Sequence, residues 1–195
     1  MDKQKDLIDR ILDIEQDMFS RVRSATPAPC QNEPDRFRQI RGSIYEAWNE
    51  EMLESYLEDL KVAQKKGRNL FSEKYARMDN LIPQLNTNPL IDKIVEVETK
   101  WQTEIRNKFP AVYNRLCRDA SQAQDGSNFA VYLKCELETY SDKTIQLYYQ
   151  HIKNALERGE NMAISSLQRL VKKGGFNDLD HAENYLKNIT DTMTD

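Results

Sequence analysis

One segment of this chain occurs twice, and any fold of the chain must accommodate both copies. Residues 7–15 read LIDRILDIE and residues 90–98 read LIDKIVEVE, so all nine positions are identical or conservatively changed at an offset of 83. A second pair of windows matches at an offset of 92, with the pairs Phe37/Phe129, Glu46/Glu138, Trp48/Tyr140, Tyr56/Tyr148 and Gly67/Gly159. Two matching windows in the same order predict a tandem duplication of one unit.

Apolar periodicity, interrupted by proline and glycine, divides each copy into three helices. In the first copy we predict helices over residues 3–24, 35–66 and 69–80, the second of them capped by Asp35. In the second copy we predict helices over 89–108, over 127–158 from a Ser127 cap, and from there to Lys173, followed by a last helix near 178–190. The change of offset implies an insertion between Pro110 and Phe129, where we expect a loop over 110–126 with room for a helical turn.

These elements predict an all-α bundle, for which a ferritin-like layout is one candidate. Apolar residues make up 39% of the 195 residues, which is enough for a core, and six glycines and six prolines favour helices over disorder. We predict one domain over 1–195, built from a first repeat at 3–80, a second repeat at 89–173 and a C-terminal helix and tail at 174–195.

Composition and charge exclude several classes of partner. No apolar run approaches the ~20 residues that span a bilayer, and the first residues, MDKQKD, do not resemble a secretory signal. We therefore expect a cytoplasmic protein without a membrane partner. A net charge of -4 with interspersed signs argues against nucleic acid as a partner. Three widely spaced cysteines, Cys30, Cys117 and Cys135, predict reduced thiols and no disulfide framework.

Each repeat carries two glutamates that the helical wheel directs toward the core. At roughly 100° per residue, Glu15 lies in the middle of the apolar stripe of its helix, and Glu98 is bracketed by isoleucines in the same way. On the long second helix of each repeat, Glu46 and Glu138 fall among the apolar positions of the next three turns. We therefore predict that four helices each contribute one inward carboxylate.

Buried carboxylates are costly unless they are paired, protonated or bound to a cation, and three interpretations follow. The first is a di-metal carboxylate oxidoreductase, because ferritin-like sites combine two glutamates with two Glu-x-x-His motifs. Here Asn49 and Ser141 stand where the histidines belong, and neither is a strong ligand for iron or manganese. The second interpretation is structural, in a scaffold or protein-interaction module whose glutamates pair with Arg23, Arg38, Arg41 or Arg106.

The third interpretation, which we take as the leading hypothesis, is a pocket between the repeats that binds a small polar molecule or a cation, with catalysis left open and no cofactor named. Its predicted ligand-binding residues are Glu15, Glu46, Asn49, Tyr56, Glu98, Glu138, Ser141 and Tyr148.

Other chemistry-bearing residues give weaker signals. His151 lies away from the inward direction of Glu138, so we expect it on a flank of its helix. A helix start near Cys30 favours a lowered thiol pKa, but no histidine is recognisable nearby to complete a nucleophilic site. Asn69 and Asn161 each follow a glycine by two residues and are predicted to cap the helices that begin there.

Several stretches of this sequence resemble a known family. They are Cys30-Gln31 ahead of Phe37, EAWNEEMLESYLEDL at 46–60, GRNLFSEKYARM at 67–78 and ELETYSDKTIQLY at 136–148. Together they resemble the family catalogued as domain of unknown function 4125, over nearly the whole chain. The resemblance implies a shared helical fold and supplies no reaction. Where that family has Arg-x-Ser-Gln before the Glu-Ala-Trp run, this chain has Ile44 in place of the glutamine.

Overall fold

The computed structural model describes residues 2–23, 33–118 and 128–192, and within these ranges the chain forms helices joined by turns and loops, without strands. The prediction of an all-α fold is confirmed. In chain order the described helices are α1 (Lys3–Ser20), α2 (Pro34–Tyr45), α3 (Glu50–Lys65), α4 (Leu70–Met78), α5 (Leu90–Lys108), α6 (Pro110–Leu116), α7 (Phe129–Leu137), α8 (Asp142–Glu157), α9 (Met162–Lys173) and α10 (Leu179–Thr192).

The two long helices predicted over 35–66 and 127–158 are each broken in two, so that prediction was wrong. The breaks fall at residues 46–49 and 138–141. The side chain of Asn49 accepts the backbone N–H of Met52, and that of Ser141 accepts the N–H of Thr144. These are N-cap interactions, which satisfy orphan donors at a helix start, so a new helix begins directly after each of these residues.

Other helix boundaries lie close to the predicted ones. The side chains of Asn69 and Asn161 cap α4 and α9, as predicted. Asp35 lies inside α2, which follows Glu33 and has a proline in its first turn, so Asp35 is not the cap. Ser127 lies outside the described residues, and the side chain of Asn128 caps α7. The insertion carries a full helix, α6, and α1 ends at Ser20, four residues earlier than predicted.

The helices of the two halves make corresponding contacts. Helix α1 packs against α2, α3 and α4, and α5 packs against α7, α8 and α9. Between the halves, α3 packs on α8, while α2 packs on α9 and α4 packs on α7. Such reciprocal pairing is what two similar units related by a twofold axis would make. The duplication itself stays a prediction, as does a ferritin-like layout.

Two apolar clusters fill the described part of the molecule. The larger one includes residues from α1 to α5 and from α7 to α9. The smaller one, centred on Ile105, Phe109 and Val112, joins the end of α5 to α6, α9 and α10. No helix within the described ranges has both the length and the apolar character needed to cross a membrane.

Helix α10 holds the start of α6 through one buried carboxylate. Oε1 of Glu183 accepts the backbone N–H of Ala111 at 3.1 Å, and Oε2 accepts that of Val112 at 2.9 Å. Replacing Glu183 by alanine is therefore expected to lower the free energy of unfolding by about 1 to 2 kcal/mol, because two helix-terminal donors lose their acceptor. Urea denaturation followed by circular dichroism measures this loss.

The matched control for Glu183→Ala is Glu96→Ala on the exposed face of α5, where the carboxylate makes a surface pair with Lys100. We expect that substitution to change stability by no more than about 0.5 kcal/mol. Equal losses in the two variants would show that Glu183 does not anchor α6.

Candidate functional site

Glu15 lies fully buried on α1 and is satisfied by four hydrogen bonds. The guanidinium of Arg41 donates to both carboxylate oxygens, at 3.1 Å from Nε and 2.6 Å from Nη2. The hydroxyls of Tyr45 and Tyr56 donate to Oε1 at 2.5 and 2.7 Å. Glu15 is therefore inward, as predicted, but it is already saturated by protein donors.

The same arginine reaches a second buried carboxylate that the sequence analysis did not single out. Nη1 of Arg41 donates to Glu136 at 2.7 Å, and Nζ of Lys74 donates to its other oxygen at 3.1 Å. The hydroxyl of Tyr140 completes the set at 3.0 Å. Two cations thus face two carboxylates, Glu15 and Glu136, and the formal charges of this network balance.

Opposing effects act on the pKa of Glu136. Burial alone raises it, but the positive charges of Arg41 and Lys74 act more strongly and lower the pKa to about 2. Glu136 is therefore ionised at neutral pH. Its role in the network is that of a permanent anion between two permanent cations.

Glu138 and Glu46, which match each other in the two repeats, occupy different environments. Glu138 is buried and accepts a hydrogen bond from Nε of Arg77 at 2.8 Å. Glu46 is not inward, and that prediction was wrong: its side chain is 38% exposed and pairs with Lys173 at 2.7 Å. The wheel placed it among the core positions of α3, but the chain turns between Glu46 and Asn49, so the two helices do not share one wheel.

The remaining predicted residues are also distributed over several places. Asn49 and Ser141 are exposed helix caps, so their side-chain oxygens are used by backbone N–H groups. Within residues 2–23, 33–118 and 128–192 no group of three or more His, Cys, Asp or Glu side chains is placed to hold a metal ion. The four glutamates of the metal interpretation therefore do not converge on one point in the described structure.

Glu98, on α5, differs from the other buried carboxyls. It is 7% exposed, and the hydroxyl of Tyr148 donates to its Oε1 at 2.9 Å. No lysine or arginine of the described residues pairs with it. Burial, only partly offset by the tyrosine hydrogen bond, raises the pKa of Glu98 to about 7. This carboxyl therefore changes its charge near neutral pH.

Glu98 faces a cavity of about 390 Å³. Gln102, one turn further along α5, also lines this cavity, and its buried Oε1 has no hydrogen-bond partner among the described residues. The walls come from α2 of the first half and from α5, α7, α8 and α9 of the second half. They include aromatic rings from Tyr45, Trp48, Phe129, Tyr132, Tyr140 and Tyr148. A volume of this size accommodates a small organic molecule.

Of the eight predicted ligand-binding residues, the cavity brings together Glu98 and Tyr148. Tyr56 is buried, but it contacts Glu15 in the ion-pair network and does not line the cavity. Sequence reasoning missed Gln102 and Glu136. A signal for Glu136 was present, because Phe129, Tyr132, Leu133 and Glu136 are spaced i, i+3, i+4, i+7 and all line the cavity.

The other reactive side chains do not add a catalytic group. Burial raises the pKa of the Cys117 thiol to about 12, so this cavity-lining thiol stays protonated. His151 is half-buried, and its Nε2 lies 2.8 Å from the carbonyl oxygen of Ala47, away from the cavity lining. Cys30 lies outside the described residues.

Comparison with known proteins identifies a family and no activity. A family model described as "Protein of unknown function (DUF4125)" matches residues 5–184. No curated protein and no solved structure matches the chain.

Proposed function

The chain belongs to the family of proteins of unknown function DUF4125, and we propose that it binds a small organic molecule in the cavity beside Glu98. One observation carries this proposal. Two hydrogen-bond acceptors lie one turn apart on α5 at the cavity wall: Glu98, which accepts from Tyr148 but has no cation partner among the described residues, and Oε1 of Gln102, which has no hydrogen-bond partner among them. Buried polar groups are rarely left unpaired, and a ligand with hydrogen-bond donors would satisfy both.

The ion-pair network supports the proposal by fixing part of the cavity wall. Arg41 and Glu136 line the cavity, and each is held in place by several charged or tyrosine partners. The scaffold interpretation accounts for Glu15 and Glu136, because their charges are balanced by Arg41 and Lys74. It gives no account of Glu98, which has no lysine or arginine partner in the part of the chain that the structure describes. A cavity wall fixed by ion pairs, together with a carboxyl that has no cation partner among the described residues, is the arrangement of a preorganised binding site.

The test is native mass spectrometry of freshly purified protein, combined with a thermal-shift screen of small molecules. We expect either a copurified ligand or compounds that raise the melting temperature of the protein, because a ligand that binds only the folded state stabilises it. Ala163 lines the cavity, so the larger side chain of Ala163→Leu should fill part of the space. At least tenfold more ligand should then be needed to reach the same rise in melting temperature.

The matched control is Ala130→Leu on α7, the same substitution at a half-buried position that does not line the cavity. It should keep the ligand-induced shift of the unmodified protein. The proposal fails if no compound binds, or if Ala163→Leu responds to the compounds as strongly as Ala130→Leu.

A further inference from the structure

Two equivalent pairs of side chains, each a glutamate and a tyrosine, lie in the two halves of the molecule. In the first half the hydroxyl of Tyr56 donates to Glu15 at 2.7 Å, and in the second half the hydroxyl of Tyr148 donates to Glu98 at 2.9 Å. The four residues match between the sequence windows at offsets of 83 and 92. Each half thus places a buried carboxylate against a tyrosine hydroxyl in the same way.

The pairs differ in the cation that accompanies them. The carboxylate of Glu15 holds the guanidinium of Arg41 through two hydrogen bonds. At the offset of 92, the residue that corresponds to Arg41 is Leu133, which cannot donate a hydrogen bond. Both Leu133 and Glu98 line the cavity. At this place the second half therefore has a leucine and a cavity, and its carboxyl has no cation partner among the described residues.

We infer that the cavity binds an organic cation, with a guanidinium, amidinium or ammonium group placed against Glu98 as the Arg41 guanidinium is placed against Glu15. The inference rests on the proposed function and adds the charge of the ligand to it.

The charges of the buried groups support a cation over an anion. Among the described residues five glutamates are buried, and four of them have a lysine or arginine partner: Glu15, Glu136, Glu138 and Glu183. Glu98 is the exception within that part of the chain. Two arginines line the cavity. Arg41 already donates to Glu15, Glu136 and Tyr45, so its positive charge is matched before any ligand arrives. Arg118 is exposed to solvent, and its guanidinium lies over the ring of Tyr132. An uncompensated buried carboxylate is costly, and a bound cation removes that cost.

The neighbouring groups match the same ligand chemistry. Oε1 of Gln102 provides a second acceptor, which suits a head group with more than one N–H donor. The rings of Trp48 and Tyr148, whose centroids are 5.3 Å apart, line the same cavity and present aromatic surface of the kind that attracts cations. The carboxylate, the second acceptor and the aromatic rings together favour an amidinium or ammonium over a neutral molecule of the same shape.

Three ligands of nearly equal size separate charge from shape: benzamidinium, benzamide and benzoate. Isothermal titration calorimetry at pH 8, where Glu98 is largely ionised, should show benzamidinium binding at least tenfold more tightly than benzamide, with benzoate weaker still. The variant Glu98→Gln should lose this preference. Glu46→Gln, which removes a partly exposed carboxylate that does not line the cavity, should retain it.

A second variant tests the correspondence between the halves without removing Glu98. Leu133→Arg supplies a guanidinium at the position that corresponds to Arg41, and it should abolish benzamidinium binding because the arginine occupies the same place. Its melting curve shows whether it is folded, and if it is not, Glu98→Gln alone decides.

The outcomes separate this inference from the proposed function. Equal binding of benzamidinium and benzamide, or unchanged preference in Glu98→Gln, overturns the cation inference and leaves a ligand-binding cavity. No binding of benzamidinium also overturns it. If, in addition, the thermal-shift screen and native mass spectrometry find no ligand of any charge, the proposed function fails as well.

Discussion

Replacing Arg41 by methionine is expected to lower the free energy of unfolding by about 3 to 5 kcal/mol, because it leaves buried charge without a partner. Glu15 loses two hydrogen bonds from the guanidinium, and Glu136 loses one. Lys74 still faces Glu136, so the larger part of the loss falls on Glu15. Chemical denaturation at pH 7, with circular dichroism as the readout, measures the midpoint of unfolding and the dependence of the free energy of unfolding on denaturant concentration.

Two comparisons sharpen the Arg41 experiment. Arg38→Met removes an arginine from the same helix whose pair with the exposed Asp13 should contribute less than about 1 kcal/mol. Arg41→Lys keeps the charge but has no fork of donors to bridge two carboxylates, so it should recover only part of the loss. If Arg41→Met costs no more than Arg38→Met, the buried network does not stabilise the fold.

Part of this network follows from the sequence. The wheel placed Glu15 and Glu98 inward correctly, because α1 and α5 are unbroken helices whose periodicity holds from end to end. The choice of Arg41 from several arginines did not follow, since it depends on how α2 packs against α1. That information lies in tertiary contacts, which periodicity along one helix does not contain.

The errors at Glu46, Asn49 and Ser141 have one cause. The apolar pattern continues through residues 46–49 and 138–141 without a proline or glycine to mark the break. The cap signal was present, because Asn49 is followed by Glu50 and Glu51 and acidic residues favour the first turn of a helix. The side chains of Asn49 and Ser141 were predicted to bind a ligand, but they accept hydrogen bonds from the backbone at the starts of α3 and α8.

The cavity could not be predicted from either repeat alone. Its walls combine residues of α2 from one half with residues of α5, α7 and α9 from the other, so it exists only once the halves are packed together. Within the described residues, Glu98 is without a cation because the repeats differ: Arg41 in the first copy corresponds to Leu133 in the second. A comparison of the two copies position by position would have identified that difference.

The second large effect expected is a dependence of stability on pH that comes from Glu98. Its pKa is raised from an ordinary value of 4.5 to about 7 in the folded protein. Between these two pH values the folded protein retains a proton that the unfolded chain releases, so the free energy of unfolding falls as the pH rises. The full contribution of Glu98 over this window is about 3 kcal/mol, since each pKa unit corresponds to about 1.4 kcal/mol.

The variant Glu98→Gln isolates this effect, because glutamine does not titrate and its amide can still meet the hydroxyl of Tyr148. Stability measured from pH 4.5 to 8 in unmodified protein and variant should give two curves that diverge as the pH rises. From pH 4.5 to pH 8, the free energy of unfolding of Glu98→Gln should rise relative to that of the unmodified protein by up to about 3 kcal/mol. Glu136, with a pKa of about 2, loses its contribution only as the pH falls below 4.5, outside this window. A difference between the curves that does not change with pH would mean that Glu98 titrates alike in the folded and the unfolded protein, so that burial does not raise its pKa.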